Sequence, residues 1–348
     1  MIDLPPAPHR LRLDSRALVQ NWQALDRLSG AASAGAAVKA DGYGIGAIEV
    51  SRRLAAAGCR DFFVSSWAEA GALAPLGLRL AVLHGVREED MAIAAAGFAR
   101  PVLSTPLQVE RWRAAAAGPC DVMVDTGMNR LGVSPDAVAT GLLDGLDINT
   151  LHSHLACADE PDSAMNERQR ARFAALKGRT GAARMSLANS AGITLGGSFH
   201  FDLTRPGLAL YGGVPSPALA GIIGQVAEPQ AQILQRRTVL AGDAVGYNAT
   251  WTAPADTEVA IINLGYADGY LRGFSDSGRA EVGCTVLPVI GRVSMDLVAL
   301  DVTRASELAE GDWVSMAYDL PAAAEASGLS QYELLTVLGS RFDRVWTD

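Results

Sequence analysis

The sequence predicts an α/β protein: an eight-stranded parallel (β/α) barrel of the TIM type followed by a mostly β C-terminal domain. Three observations predict it. From about residue 10 to 210, short apolar runs alternate with longer amphipathic, alanine-rich stretches, the signature of repeated β-α units around a parallel sheet. The short runs number eight, the count at which such a sheet closes on itself. Past about residue 221 the pattern changes to alternating and β-branched runs, separated by turns such as Ala241-Gly242-Asp243 and Glu310-Gly311-Asp312. The expected domains are 10–220 and 221–348, with residues 1–9 open to joining the second.

In chain order the expected barrel strands are 36–40, 61–65, 80–84, 101–104, 121–125, 148–154, 184–188 and 199–204. Helix-start signals support this count. Ser66-Trp67-Ala68-Glu69 reads as a capping box, whose hydroxyl and carboxylate satisfy orphan N–H groups of the first turn. Thr105-Pro106 and Ser134-Pro135 place a capping oxygen just before a proline at the first helical position, where its missing N–H costs nothing. In the second domain the expected strands are 230–239, 258–264, 285–290, 297–302 and 313–316. A helical stretch, 329–338, then precedes the basic tail 341–344.

Composition limits what such a chain does. It has 348 residues, 49% hydrophobic and 19% charged, so a disordered chain is excluded: there is ample apolar surface to offset ordering entropy. With 29 basic against 38 acidic residues the net charge is −9, and no Lys/Arg block offers a local exception, so neither nucleic acid nor anionic lipid is an expected partner. Cys59, Cys120, Cys157 and Cys284 are widely spaced, with no CxxC pair. Met1-Ile2-Asp3-Leu4-Pro5-Pro6 lacks a basic segment leading into an apolar one, and no uncharged run approaches the roughly 20 residues that span a bilayer. A cytoplasmic location is expected.

Barrels of this kind place their chemistry at the C-terminal ends of the strands. After the first comes Val38-Lys39-Ala40-Asp41-Gly42-Tyr43-Gly44-Ile45-Gly46. A rim lysine among apolar neighbours is partly deprotonated by desolvation, and a neutral amine condenses with an aldehyde to form a Schiff base. A surface lysine before a flexible turn accounts for the same residues. After the seventh comes Ala188-Asn189-Ser190-Ala191-Gly192, and after the eighth Thr204-Arg205-Pro206-Gly207-Leu208-Ala209-Leu210-Tyr211-Gly212. These two loops commonly bind phosphate through backbone N–H groups of small residues, a task that suits Ser190 and Gly207. Each loop alone also reads as a helix cap or tight turn. Taken with the lysine, they point to a phosphorylated aldehyde, pyridoxal phosphate.

The fifth strand runs into Asp125-Thr126-Gly127-Met128-Asn129-Arg130-Leu131-Gly132 and the sixth into Leu151-His152-Ser153-His154. Alternation puts His152 and His154 on one side, which suits a metal pair or a barrel-lining histidine bonded to its neighbours. The other histidines are His9, His84 and His200, and no acidic residue beside the pair completes a ligand set, so no metal is expected. Arg130 reads as a carboxylate clamp or a loop salt bridge.

These motifs, taken together, resemble the alanine racemases. The resemblance runs nearly end to end, through the Lys39, Asp125–Gly132, Ser153-His154, Ala188–Gly192 and Arg205–Gly212 segments. It continues with Val245-Gly246-Tyr247-Asn248-Ala249-Thr250-Trp251, Leu264-Gly265-Tyr266-Ala267-Asp268-Gly269-Tyr270 and Gly291-Arg292-Val293-Ser294-Met295-Asp296. It implies that Lys39 carries pyridoxal phosphate and that Tyr247, reaching in from the second subunit of a homodimer, is the opposite base. It implies also that Tyr43, Ser190, Gly207 and Leu208 surround the phosphate, with Asn189 counted among the cofactor residues. Arg205 would face the pyridine nitrogen, His154 would stand between Arg205 and Tyr247, and Arg130 with the Met295 backbone would hold the substrate carboxylate. Tyr266, Asp159, Arg272 and Arg292 would line the entry. Taken singly, Tyr247, Tyr266 and Met295 read as ordinary sheet residues, and Asp268-Gly269 as a turn.

Racemisation removes the α-proton from one face of a planar carbanion and returns one to the other, so two bases must flank the ring. A phenol, with an ordinary pKa of about 10, needs help to act as a base at neutral pH, and a hydrogen-bond chain through His154 to Arg205 would give it. A guanidinium at the ring nitrogen only donates, which disfavours extended delocalisation and hence transamination. Three positions depart from the family pattern: Met123 where a carbamylated lysine often orients the clamp arginine, Ser340 where a tyrosine is common, and Trp251 in place of another tyrosine. The alternatives are a racemase of broader amino-acid range, a non-catalytic vitamin-B6 binding protein, a barrel decarboxylase and a hydrolase built on His152 and His154. Arg205 speaks against the decarboxylase and the second domain against the binding protein.

Overall fold

The computed structural model describes residues 5–348; residues 1–4, the start of the Met1-Ile2-Asp3-Leu4-Pro5-Pro6 segment, lie outside the described residues. The described chain forms two compact units, one of Leu18–Gly224 and one of Gln225–Asp348 with the described residues up to Ala17. No helix among the described residues is long and apolar enough to cross a membrane.

The first unit is built on a seven-stranded parallel sheet in chain order: Ala36–Ala37, Asp61–Val64, Arg79–Val82, Ala99–Leu103, Cys120–Met123, Ile148–His152 and Arg184–Ser186. Helices cover these strands, so they read as continuous apolar runs: Phe62, Phe63, Val64, Leu80, Val82, Val102, Leu103, Val122 and Leu151 are all buried. Each such side chain contributes about 1.5–3 kcal/mol of burial. The expected capping oxygens are in place: Ser66 Oγ accepts from Glu69 N at 3.3 Å, Thr105 Oγ1 from Gln108 N at 3.1 Å and Ser134 Oγ from Ala137 N at 3.1 Å.

Two expected strands are much shorter than the sequence pattern suggests. The first stops at Ala37, because the backbone turns left-handed just beyond Lys39. The last, expected over 199–204, is reduced to Leu203–Thr204, which pairs in parallel with Ser33–Ala34 as a separate two-stranded sheet. Short 3-10 turns, Gly192–Leu195 and Gly197–Phe199, occupy the approach, and the His200 ring is tied to Ser29 O (3.0 Å) and Ile193 O (2.8 Å). The segment nevertheless bonds on both sides. Asp202 N donates to Met185 O (3.0 Å) and Arg205 N to Ala188 O (2.8 Å), while Gly35 N and Ala37 N donate to Thr204 O and Pro206 O (both 2.9 Å).

The second unit is a mixed sheet around the 13-residue strand Ala227–Val239. The sheet order is Thr285–Pro288, Arg279–Val282, Trp313–Met316, Ala227–Val239, His9–Asp14, Asp343–Thr347. Thr257–Ile262 pairs with the far half of the long strand, and Val298–Asp301 pairs with Thr257–Ile262. A register shift between Ile233 and Gln235 lets the long strand serve both halves. A small cluster of Val239, Ala253, Val259 and Ile290 packs beneath the hairpin Ala244–Val245/Trp251–Thr252. The expected helix 329–338 is Gln331–Thr336, preceded by a second helix, Leu320–Ser327. The basic tail is not a tail: Asp343–Thr347 is a strand pairing in parallel with His9–Asp14.

Candidate active site

Lys39 follows the first strand of the parallel sheet and opens a turn of the wrong hand. Ala40 (φ 52°), Asp41 (52°), Gly42 (63°), Tyr43 (56°) and Gly44 (87°) are all left-handed. Three of these are not glycine, and at about 1–2 kcal/mol apiece the turn stores about 3–6 kcal/mol. Local bonds hold it: Gly42 N to Val38 O (2.9 Å), Gly44 N to Ala40 O and Gly46 N to Asp41 O (both 2.8 Å). Glu69, the partner of the Ser66 capping box, supplies a further anchor, because Oε1 accepts from Ala40 N at 2.8 Å while Oε2 accepts from Ser65 N at 2.6 Å. The Lys39 amine forms no hydrogen bond or ion pair among the described residues. Burial first, and then the charge of Arg130, lower its pKa, against the opposing pull of Glu69.

The turn delivers Tyr43 onto Tyr211, whose ring stacks at 4.7 Å and 25° and whose hydroxyl donates to Ala37 O at 2.8 Å. Gly207 closes the other side. A Cβ there would overlap the Tyr43 hydroxyl and stand 2.9 Å from Cζ, so only glycine lets the loop approach the phenol. Ser190 Oγ accepts from Gly207 N (2.9 Å) and Ala209 N (3.2 Å), gathering two backbone donors where the 3-10 turn Leu208–Tyr211 begins. An anionic oxygen displacing that hydroxyl would inherit both. Asn189 acts nearby as a cap, its Oδ1 accepting from Gly192 N at 2.8 Å.

Arg205 is buried, and its pKa is pushed down to about 10 by burial against the attraction of Asp121. NH1 donates to His152 Nδ1 (3.3 Å) and Ser186 Oγ; NH2 donates to Ser153 O (2.6 Å) and Leu187 O (3.5 Å). Of five guanidinium donors, only Nε–H has no protein acceptor among the described residues. Arg205 thus bonds to His152, the last residue of its strand, and no hydrogen bond joins it to His154 among the described residues. His154 feels Arg205 through charge alone: burial, then Arg205, Arg130 and Lys39, lower its pKa to about 3.

Arg130 is exposed and forms no ion pair or hydrogen bond among the described residues. With Met123 in place of a lysine, its loop is ordered instead by Asp125, whose Oδ1 accepts from Gly127 N (2.8 Å) and Asn129 N (3.1 Å). Asp159 lies exposed.

In the second unit the residues expected at the entry, at the substrate carboxylate and as the second base fall into two groups. Tyr266 N donates to Ser294 O and Ala267 N to Met295 O (both 3.0 Å), and the Arg272 guanidinium lies 5.3 Å over the Tyr266 ring. Gly265 permits this approach, since a Cβ there would overlap the Met295 carbonyl and stand 2.5 Å from Ser294 O. Tyr247 opens a separate 3-10 turn, Tyr247–Ala249, and is 64% exposed; it follows Gly246, where a Cβ would stand 3.6 Å from Arg292 N. Sequence reasoning gives no role to Arg341, which joins Asp268 (2.7 Å) to Asp296 (2.8 Å) and so ties the Tyr266 loop to the Met295 loop. It also misses Asp121, although an acid inside an apolar strand is a signal in itself.

A desolvated lysine, a pair of stacked phenols, two gathered backbone donors and a buried guanidinium with one spare N–H suit a flat, anionic ligand bearing a carbonyl group. The fold and site thus define a lysine-centred α/β enzyme. Comparison with known proteins narrows the class. Residues 13–215 match the family described as alanine racemase, N-terminal domain, and residues 226–346 match alanine racemase, C-terminal domain. An alanine racemase of Acidiphilium cryptum is 43% identical, covering 96% of this chain and 98% of that protein; one of Rhodospirillum rubrum is 42% identical, covering 96% and 94%. The crystal structure of alanine racemase from Bartonella henselae with covalently bound pyridoxal phosphate superimposes with a TM-score of 0.90 at 32% identity, covering 98% of this chain and 100% of that one. The chain belongs to the alanine racemase family.

Proposed function

We propose that the protein interconverts L-alanine and D-alanine with pyridoxal phosphate as cofactor, by a two-base route. The observation that carries the reading is Arg205, a buried cation with no carboxylate in contact and a single donor to spare, as a ring nitrogen that must stay unprotonated requires. When bound, the cofactor supplies a conjugated electron-withdrawing ring that acidifies the α-hydrogen of an attached amino acid.

The chain's own residues do the rest. Lys39 Nζ, its proton loosened by burial, is the attachment point and the base on one face. Tyr247 Oη is the acid and base on the other, and its exposure supports a homodimer in which it serves the site of the partner subunit. Tyr43, Ser190, Gly207 and Leu208 hold the phosphate, with Asn189 ordering the loop. Arg130 and the Met295 backbone take the substrate carboxylate. His154, kept neutral, lines the cavity without adding a second cation beside Arg205. Tyr266, Arg272, Asp159 and Arg292 form the entry. The two-sided bonding of residues 202–206 supports closure of the parallel sheet as an eight-stranded barrel. Four free cysteines support a cytoplasmic setting.

The test is incubation of the purified protein with D-alanine and pyridoxal phosphate, followed by chiral analysis, beside Lys39→Ala. Interconversion by the wild type and none by the variant is the expected result. Cofactor absorbance without interconversion would leave a binding protein. Turnover of serine or lysine to match alanine would indicate a racemase of broader range.

A further inference from the structure

Arg205 and its nearest negative charge do not touch. The acceptors around the guanidinium are neutral, and the carboxylate of Asp121 stands one residue further back, with Oδ2 3.4 Å from His152 Nε2. Asp121 Oδ1 accepts from Thr150 N and from Arg100 Nε, both at 3.1 Å. Asp121 and His152 have no exposed surface, and Phe63 meets the imidazole edge-on at 5.8 Å. This arrangement determines the tautomer. A guanidinium only donates, so His152 Nδ1 bears the lone pair, and the single ring proton sits on Nε2, directed at Asp121.

We propose that His152, held in this tautomer by Asp121, is a positioning residue for the reaction. It fixes the plane of Arg205 so that Nε–H is the donor presented to the cofactor ring, and it keeps the counter-charge one imidazole away. This inference rests on the reading of Arg205 given above. A carboxylate in direct contact would form a bidentate pair, take up the terminal donors and cancel the cation's field at the ring. An interposed neutral imidazole takes one terminal N–H, leaves Nε–H uncommitted and still lets Asp121 stabilise the buried cation. Burial keeps the imidazole neutral, with a pKa lowered to about 4. The Ser186 hydroxyl and the Ser153 and Leu187 carbonyls take the other terminal donors, so rotation of the guanidinium is blocked from two neighbouring strands.

The experiment uses the whole protein loaded with pyridoxal phosphate. The wild type must first show a visible cofactor band that Lys39→Ala lacks; failure here overturns the proposed function, and the inference with it. His152→Phe keeps the ring volume and removes the acceptor, whereas His152→Asn places an amide oxygen where Nδ1 stands. His152→Phe is expected to lower kcat by about 10- to 100-fold with KM for alanine within about twofold of wild type, the pattern of a misplaced group rather than of lost binding. It should also shift the absorption maximum of the bound cofactor, and His152→Asn should restore most of both. Wild-type kcat and spectrum in His152→Phe, or no advantage of Asn over Phe, overturns the proposal. If His152→Phe does not fold, Asp121→Asn decides. A shifted band with reduced kcat and unchanged KM supports the relay, and a wild-type spectrum and rate refute it.

Discussion

Glu69 couples a helix cap to the strained turn after Lys39, so its removal should be felt in two places. Glu69→Ala deletes the carboxylate of the capping box, which costs about 1 kcal/mol within a range of about 0.5–2. It also strips Ala40 N of its acceptor. That bond is exposed, so water replaces part of it, and the further loss is about 0.5–1.5 kcal/mol. The sum, about 1–3.5 kcal/mol, corresponds to a fall in Tm of about 2–14 °C for a unit of this size. The turn is the more sensitive reporter. With about 3–6 kcal/mol stored in left-handed residues, one lost anchor lets Ala40 relax, which moves Tyr43 and weakens the hold on pyridoxal phosphate. Ser66→Ala is the control: it removes the hydroxyl of the same box but leaves Ala40 bonded to Glu69. Thermal unfolding and cofactor titration of both variants should show loss of stability in each and loss of cofactor affinity only in Glu69→Ala. Equal cofactor affinities in the two variants would refute the coupling.

Gly207→Ala should raise the Kd for pyridoxal phosphate by roughly 5- to 150-fold, since forcing a methyl group against Tyr43 costs about 1–3 kcal/mol; an unchanged titration of the apoenzyme would contradict the close approach. Asp268→Ala removes the buried acceptor of Gly265 N and Arg341 Nε, and should cost about 2–3 kcal/mol by denaturant unfolding while raising KM for alanine; unaltered KM would show that the Tyr266 loop does not need the clamp. His152 makes stability pH-dependent. Its folded pKa, lowered to about 4, lies below the unfolded 6.5, so nothing is lost above pH 6.5. As the pH falls toward 4, the unfolded chain gains a proton that the native state refuses. About 2 kcal/mol should therefore be lost by pH 5, and less in His152→Asn, as unfolding curves at pH 7 and 5 would reveal. Identical pH losses in the two proteins would remove His152 as the cause.

Strand placement was legible wherever a short apolar run is bracketed by turn residues and covered by helices, as at Asp61–Val64 and Cys120–Met123. The termini of the sheet were not. Neither the left-handed turn that cuts short the first strand nor the 3-10 turns before Leu203 has a hydrophobic period to read, since both are sustained by contacts with residues remote in sequence. In the second unit, His9–Asp14 has a readable alternation, with Leu11 and Leu13 buried, but its partners lie more than 200 residues away and no local pattern names them. The candidate site divides in the same way. Lys39, Ser190, Arg205 and Gly207 sit in recognisable motifs, and residue type indicates their chemistry. The sequence marks Glu69 as a cap, but its second oxygen reaches across to a different loop, and nothing in Ser66-Trp67-Ala68-Glu69 reveals this. Arg341 and Asp296 are 45 residues apart and meet only because strands fold back between them.

The placement of His9–Asp14 between Ala227–Val239 and Asp343–Thr347 has a bearing on biosynthesis. Its sheet partners are translated more than 200 residues later, a wait of roughly 10–40 s at ordinary ribosomal speed. Throughout that interval Leu18–Gly224 emerges as one continuous stretch, free to condense on its own while the leading strand trails unpaired beside it. A nascent chain stalled before residue 343 would expose a naked β edge, the kind of template on which chaperones act and aggregates grow.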